Sequence, residues 1–348
     1  MPRPREAEPA DAPEAEPLGP GVFTGFPRLR TVLSVAVGIA LMVLLIRHSG
    51  VDDVHDRFDV LGARSPLVLL PFVVIAWMDA RGWRCTLPGG GAYVPMRAVY
   101  MARLAGEAVN SLTPTAALGE PVKAYLLRPW GVTGSDGLAS IVIAKTALTV
   151  AQSFFVVLGI AALFDRLDRG LVGGLIVALF LAACAGFAVG MVWLQQQGPA
   201  TTVFGWLRRV VPRARFLARL EPRVAEIDAR LVDFYRIERS GFVRAAAWNM
   251  GGWLLGVVEV QVMMALIQEP ISFLDALIIE ALAQPIRALS IVIPGGIGTQ
   301  EVGGVALCTF LGMPEPIAVT LWLLKRGREL VFDGVGLAYL AFRSARRE

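Results

Sequence analysis

The distribution of apolar positions along the chain predicts helices that cross a membrane. Long apolar runs cover residues 31–46, 66–83, 137–164, 170–194, 242–267 and 314–342. All but the first hold about 18 residues or more, which is enough to cross roughly 30 Å of hydrocarbon as a helix. We therefore expect an all-α, polytopic membrane bundle with about six full spans.

Two further segments, 94–127 and 271–311, are apolar but interrupted near their middles by Pro, Gly and charged or amide residues. Aligning Pro114 with Pro294 gives both segments the same order: an apolar or small run, a proline, a Gly-containing turn and a glutamate. This pattern is typical of inverted repeats built from broken, re-entrant hairpins. Straight crossings, and chance likeness of two Pro-Gly loops, are the alternatives.

The basic residues predict the topology. Arginines are concentrated in the connection 198–240 and in the short tail 344–348, whereas residues 49–65 are richer in aspartate and read as an outer loop. The positive-inside rule places the basic segments in the cytoplasm. Both termini are then cytoplasmic, and the two hairpins enter from opposite faces.

Three units follow from this topology. Residues 1–27, with seven prolines and five acidic residues, are expected to be a disordered cytoplasmic tail. Residues 28–343 form a single transmembrane domain, which includes the connection 198–240. Residues 344–348 are a basic C-terminal tail.

An amphipathic helix is expected inside the cytoplasmic connection. Its apolar residues recur at spacings of three and four and form one stripe: Leu217, Leu220, Val224, Ile227, Leu231 and Phe234. Such a helix lies against the membrane or against the bundle. It either recognises anionic lipid headgroups with its arginines or serves as a packed connector.

Composition excludes several classes of protein. A chain that is 55% hydrophobic and 18% charged, with a mean hydropathy of +0.59, is not a water-soluble globular enzyme. The net charge of +4 reflects membrane topology, so we expect no nucleic-acid partner. Three scattered cysteines and two histidines indicate neither a disulfide framework nor a metal site, and we expect no cofactor. The expected location is a bacterial plasma membrane.

Ionisable and amide side chains at bilayer depth usually face a cavity, a partner or a substrate. Glycines beside Pro294 could also offer backbone N–H groups to a phosphate. The candidate substrate-binding residues are Glu107, Asn110, Glu120, Lys123, Lys145, Arg287, Gly295, Gly296, Glu301, Lys325 and Arg326. Internal pairing that only satisfies buried charge is the alternative, above all for Glu259 and Glu280. Within the last span, Lys325 and Glu329 are four residues apart and could pair.

Three stretches carry a family resemblance: ARLAGEAVNSLTPTAALGEPVKAYLL (102–127), IPGGIGTQEVGG (293–304) and WLLKRGREL (322–330). The chain resembles the flippase-like membrane region of bacterial lysylphosphatidylglycerol synthases and free-standing relatives of that region, some of them associated with hopanoids. The resemblance implies a lipid-handling membrane domain and translocation of a lipid headgroup. The sequence ends at Glu348 after its last span, so we expect no lysyl transfer.

The leading hypothesis is a lipid translocase or lipid-transport protein that handles an anionic or phosphate-bearing headgroup in a polar intramembrane cavity. An intramembrane transferase or hydrolase, with Glu107 or Glu120 as general acid or base, is a second hypothesis. A non-catalytic partner of lipid-biosynthesis proteins is a third. The family tends to have an acidic-basic pair where this chain has Ala144-Lys145, so Lys145 is expected to lack a local counter-charge and to favour an anionic headgroup.

Overall fold

Helices and the turns between them make up the part of the chain that the structure describes. This computed structural model describes residues 43–44, 47–48, 51–113, 118–167, 170–197, 201, 204, 215–289 and 297–345. Its long α-helices are α1 (Val51–Leu61), α2 (Leu70–Arg84), α3 (Met96–Leu112), α4 (Gly119–Leu127), α5 (Gly134–Arg166), α6 (Gly170–Gln195), α7 (Arg215–Ile237), α8 (Arg239–Leu266), α9 (Phe273–Leu289), α10 (Thr299–Phe310) and α11 (Glu315–Ala345).

Four helical stretches are long and apolar enough to cross a membrane. They are Phe58–Arg84, Gly134–Arg166, Gly170–Gln195 and Arg239–Leu266, and each coincides with an expected span. The expected first span, 31–46, lies almost wholly outside the described residues. The expected last span corresponds to the 31-residue helix α11. It holds more charged residues than the four apolar stretches and is not one of them. The helical membrane architecture is thus confirmed, whereas the number of crossings stays a prediction.

The expectation of a loop at residues 49–65 is wrong, because the described part, residues 51–65, is helical. This part forms α1 and then enters a 3₁₀ helix, Gly62–Leu69, and its position on the outer face stays a prediction. Val54 and Leu61, seven residues apart on one face of α1, are buried in the same apolar cluster as side chains of α8 and α11. Burial of this apolar face stabilises helix despite the polar composition of the segment.

Each of the two interrupted segments contains two helices. Helices α3 and α4 pack against each other, as do α9 and α10. The prolines Pro114 and Pro294 lie between the members of each pair and outside the described residues. Two helices that pack against each other agree with the break predicted in each segment. That either pair is re-entrant stays a prediction.

Helix α8 lies at the centre of the bundle. It packs against α2, α5 and α9, and its residues Val257, Val260 and Met263 are fully buried. By contrast, α6 packs chiefly along α5 and exposes most of its apolar side chains, Leu171, Val172, Leu175 and Leu179 among them. A helix that is apolar on all sides and exposed suits contact with lipid.

The predicted amphipathic connector is α7, and it packs on the bundle. Its side chains Leu231, Phe234 and Tyr235 are buried against Ala139 and Ile143 of α5. The Tyr235 hydroxyl donates a hydrogen bond to the side-chain oxygen of Gln195. Burial raises the pKa of Tyr235, so this hydroxyl keeps its proton. Of the two interpretations of the connector, packing against the bundle is the one that its C-terminal half shows.

Candidate functional site

A cavity of about 610 Å³ lies among the helices that carry the buried charges. Side chains from α2, α3, α4, α5, α8, α9, α10 and α11 line it, and both broken segments contribute. Its apolar wall includes Phe72, Ile141, Leu148 and Trp253. The cavity has the size and the mixed lining of a ligand site.

The described lining holds seven carboxylates and six basic side chains. The carboxylates are Asp79, Glu107, Glu120, Glu259, Glu280, Glu329 and Asp333. The basic side chains are Arg103, Lys123, Lys145, Arg287, Arg326 and Arg328. Both signs of charge therefore meet in one cavity in nearly equal number.

Helices α3, α4 and α5 contribute four charged groups that contact one another in series. Lys123 Nζ lies 2.5 Å from Glu107 Oε1 and 3.2 Å from Glu120 Oε1. Lys145 Nζ lies 2.8 Å from the same Glu120 oxygen, and the Asn110 amide donates to that oxygen at 2.9 Å. We call the series Glu107, Lys123, Glu120 and Lys145 the charge chain. It is balanced internally, with two carboxylates and two ammonium groups.

Two glycines let the backbones of α3 and α4 approach closely enough to form the charge chain. A Cβ at Gly119 would overlap the backbone oxygen of Gly106, and a Cβ at Gly106 would overlap the Lys123 side chain. The Gly119 N–H donates to the Asn110 side-chain oxygen at 2.8 Å. This contact satisfies one backbone donor at the start of α4 and orients Asn110 towards Glu120.

Three basic residues of α11 contact three different helices. Arg328 Nη1 donates to Glu259 Oε1 of α8 at 2.6 Å, and both side chains are almost completely buried. Arg326 Nε lies 2.5 Å from Glu301 Oε1 of α10. Lys325 pairs with Glu280 of α9. These pairs explain how a helix with so many charges lies inside the bundle, because each charge meets a counter-charge from another helix.

Glu329 of α11 connects Arg287 of α9 to the basic residues of α11. Its carboxylate lies 3.0 Å from Arg326 Nη1 and 3.4 Å from both Arg287 Nη2 and Arg328 Nη2. On α9, the Gln284 amide donates a hydrogen bond to the Glu280 carboxylate and accepts one from the Gln152 amide of α5 at 3.3 Å. A continuous polar layer therefore runs from α5 through α9 to α11.

Most of the predicted site residues meet in the cavity. Seven of them line it: Glu107, Asn110, Glu120, Lys123, Lys145, Arg287 and Arg326. Glu301 and Lys325 lie behind the lining, where they pair with Arg326 and Glu280. Gly295 and Gly296 lie outside the described residues, so the expected phosphate-binding turn stays a prediction.

Two details of the expected charge pattern are wrong. Lys145 has a counter-charge, because Glu120 from the preceding helix reaches it across the gap between α4 and α5. Lys325 pairs with Glu280 of α9 instead of with Glu329 of its own helix. In both cases the partner comes from another helix, which spacing along one helix could not reveal. The alternative of internal pairing for Glu259 and Glu280 agrees with the geometry.

The sequence reasoning missed two charged residues that line the cavity. Asp79 of α2 and Arg103 of α3 form an ion pair of 2.5 Å. A carboxylate inside the apolar run 66–83 was the available signal for Asp79. Over the described ranges, no group of three or more His, Cys, Asp or Glu side chains is arranged to hold a metal ion.

Comparisons with known proteins agree with this architecture. The family described as "Lysylphosphatidylglycerol synthase TM region" matches residues 31–335. The residues of the cavity lie within that match. No solved structure matches the chain.

Two relatives are described as UPF0104 membrane proteins. One, from Methanothermobacter thermautotrophicus, is 25% identical over 300 residues, which are 83% of this chain and 87% of the relative. The other, from Pyrococcus horikoshii, is 23% identical over 320 residues, covering 86% of this chain and 92% of the relative. The similarity thus extends over almost the whole length of both relatives.

The pair between Arg328 and Glu259 allows a direct test of its contribution to stability. Arg328→Met and Glu259→Gln should each lower the free energy of unfolding by about 3–5 kcal/mol, since each leaves one buried charge without its nearest counter-charge. The double variant should lose less than the sum of the two. Equilibrium unfolding in mixed micelles measures the free energy of unfolding of the two single variants and of the double variant.

The matched control is Glu226 on α7, whose side chain is 48% exposed and lies 3.8 Å from the Arg230 guanidinium. Glu226→Gln should change stability by no more than about 1 kcal/mol. Additive losses at Arg328 and Glu259 would contradict a coupled buried pair.

Proposed function

Because the chain belongs to the family of the lysylphosphatidylglycerol synthase transmembrane region, we propose that it binds a phosphate-bearing lipid headgroup in this cavity and moves it between leaflets. The observation that carries the proposal is the cavity itself, where charged side chains from both broken segments converge. The acyl chains stay in the surrounding lipid, beside apolar helices such as α6.

The physical problem of lipid translocation is the charge of the headgroup. An ion in a medium of low dielectric constant is strongly destabilised unless counter-charges and hydrogen bonds replace its water shell. The cavity supplies such groups inside the bundle. A headgroup that exchanges water for these partners crosses with a lower barrier than it meets in bare lipid.

Two cations of the lining are available to a phosphate. The side chain of Lys145 is 51% exposed and that of Arg287 is 37% exposed, although each has a carboxylate partner. The contact between Arg287 and Glu329 is long, at 3.4 Å. Ammonium and guanidinium groups are the side chains that most often bind phosphate.

Antiparallel packing of α5 and α9 brings these two cations to the same side of the bundle. Gly159 lies against Ala281, and Gln152 lies against Gln284. Moving from that second contact towards the start of α5 leads to Lys145, and moving towards the end of α9 leads to Arg287. Both cations therefore lie towards the same end of the cavity, and we propose that they bind one phosphate group.

The lengths of the paired helices support the proposal that both pairs are re-entrant. Helices α3 and α4 have 17 and 9 residues, and α9 and α10 have 17 and 12. At 1.5 Å per residue, the shorter member of each pair is roughly 14 to 18 Å long, about half of the hydrocarbon thickness. We infer that the first pair enters from the cytoplasm of a bacterial plasma membrane and the second from the opposite face.

Transport in vesicles tests the proposed function. The protein, reconstituted in vesicles of phosphatidylethanolamine and phosphatidylglycerol with a trace of acyl-labelled phospholipid, should accelerate exposure of inner-leaflet label to dithionite. Arg287→Met should lower the rate about tenfold, since one charge-assisted hydrogen bond to phosphate is lost.

Arg97→Met is the matched control, because Arg97 is exposed on the first turn of α3 and does not line the cavity. It should transport at the wild-type rate. Label exposure no faster than in protein-free vesicles would contradict the proposed function.

Cysteine labelling tests the re-entrant arrangement. With Cys85, Cys184 and Cys308 replaced by serine, single cysteines are introduced at exposed positions that flank the two helix pairs: Arg97→Cys and Arg128→Cys, Ser272→Cys and Pro314→Cys. A membrane-impermeant maleimide should modify the first two from the cytoplasmic face and the last two from the opposite face. Modification of the two members of either pair from opposite faces would show that the segment crosses the membrane.

A further inference from the structure

The charge chain presents opposite charges at its two ends. Its inner members, Lys123 and Glu120, are 6% and 14% exposed, whereas Glu107 at one end is 42% exposed and Lys145 at the other is 51% exposed. All four residues line the cavity. A ligand in the cavity therefore meets a carboxylate and an ammonium group that belong to one connected series.

The two ends are close enough for one headgroup to contact both. Contacts of 2.5, 3.2 and 2.8 Å join Glu107 to Lys123, Lys123 to Glu120, and Glu120 to Lys145. The Oε1 atom of Glu107 and Nζ of Lys145 are therefore no farther apart than these contacts placed end to end. A phosphate and an amine joined by a short carbon spacer match such a separation.

The rest of the lining is also nearly balanced in charge. Arg103 pairs with Asp79, Arg328 with Glu259, and Arg287 with Glu329. Behind the lining, Glu301 pairs with Arg326 and Lys325 pairs with Glu280. An anionic headgroup would leave the filled cavity with an excess of negative charge, because the described lining already holds one more carboxylate than basic side chains. A headgroup of zero net charge adds no such excess, and in a low-dielectric cavity this difference is large.

We propose that the substrate headgroup is zwitterionic, with its phosphate at Lys145 and Arg287 and a primary ammonium group at Glu107. This inference rests on the proposed function and names the substrate class of the same site. A primary ammonium donates N–H hydrogen bonds to a carboxylate, which a quaternary ammonium cannot do. The site should therefore select phosphoethanolamine over both phosphocholine and phosphoglycerol headgroups.

Three acyl-labelled lipids with the same acyl chains test this selection in reconstituted vesicles. They are phosphatidylethanolamine, phosphatidylcholine and phosphatidylglycerol. Phosphatidylethanolamine should move roughly tenfold faster than either of the others, since only it satisfies both ends of the charge chain. Equal or faster movement of phosphatidylglycerol would overturn the zwitterion assignment while leaving the proposed function in place. Movement of none of the three would overturn the proposed function itself.

Two substitutions separate the ends of the headgroup. Glu107→Gln should reduce the ratio of phosphatidylethanolamine to phosphatidylglycerol transport rates from about ten to about one, because the carboxylate that binds the ammonium group is lost. Lys145→Met should slow both lipids, because both carry the phosphate. Glu226→Gln, on the surface of α7, is the matched control and should keep the wild-type preference. A preference that survives Glu107→Gln would overturn the role of Glu107.

A measurement on the unmodified protein covers the case in which Glu107→Gln fails to fold, as judged by size-exclusion chromatography. Soluble phosphoethanolamine or glycerol phosphate is added as a competitor, and inhibition of phosphatidylethanolamine transport by the wild type is measured. Stronger inhibition by phosphoethanolamine supports the assignment. Equal inhibition, or stronger inhibition by glycerol phosphate, overturns it.

Discussion

Each helix that brings a charge into the interior of the bundle must find a counter-charge there, and in this protein the counter-charge comes from another helix. Hydrocarbon offers no solvation to an ion, so an unpaired charge at this depth would oppose folding. Pairs that connect different helices around the cavity include Asp79–Arg103, Glu107–Lys123, Glu120–Lys145, Glu259–Arg328, Glu280–Lys325, Glu301–Arg326 and Glu329–Arg287. They join α2, α3, α4 and α5 in one series and α8, α9, α10 and α11 in another.

Helix α11 shows how this requirement shapes the second series. Lys325, Arg326 and Arg328 point in different directions because successive residues are turned by about 100° around a helix. Each reaches a glutamate on a different neighbour, so α11 is held on three sides. The same contacts surround the cavity with partnered charges, and the fold and the proposed site therefore depend on one set of interactions.

The sequence carried most of the architecture. Apolar runs predicted the four long helices, and the Pro-Gly interruptions predicted that residues 94–127 and 271–311 each contain two helices, because both signals are local. Helix α1 was not predicted. Its burial against α8 and α11 stabilises the helix, and the polar composition of the segment gives no indication of that burial. Ionisable residues in apolar surroundings predicted much of the cavity lining, but not the partners. The pair between Lys145 and Glu120 joins two helices, and only the packing of the backbones at Gly106 and Gly119 brings it together.

We propose that the paired charges enclose a cavity for a lipid headgroup while the acyl chains remain outside. A matched pair of photoreactive phospholipids, one with a diazirine in the headgroup and one with a diazirine at the end of an acyl chain, tests it by mass-spectrometric mapping of the labelled peptides. The headgroup probe should label cavity-lining segments around Glu107, Lys145 and Arg287, and the acyl probe should label the exposed face of α6. Headgroup labelling confined to the helix ends, with none in the cavity segments, would contradict the claim.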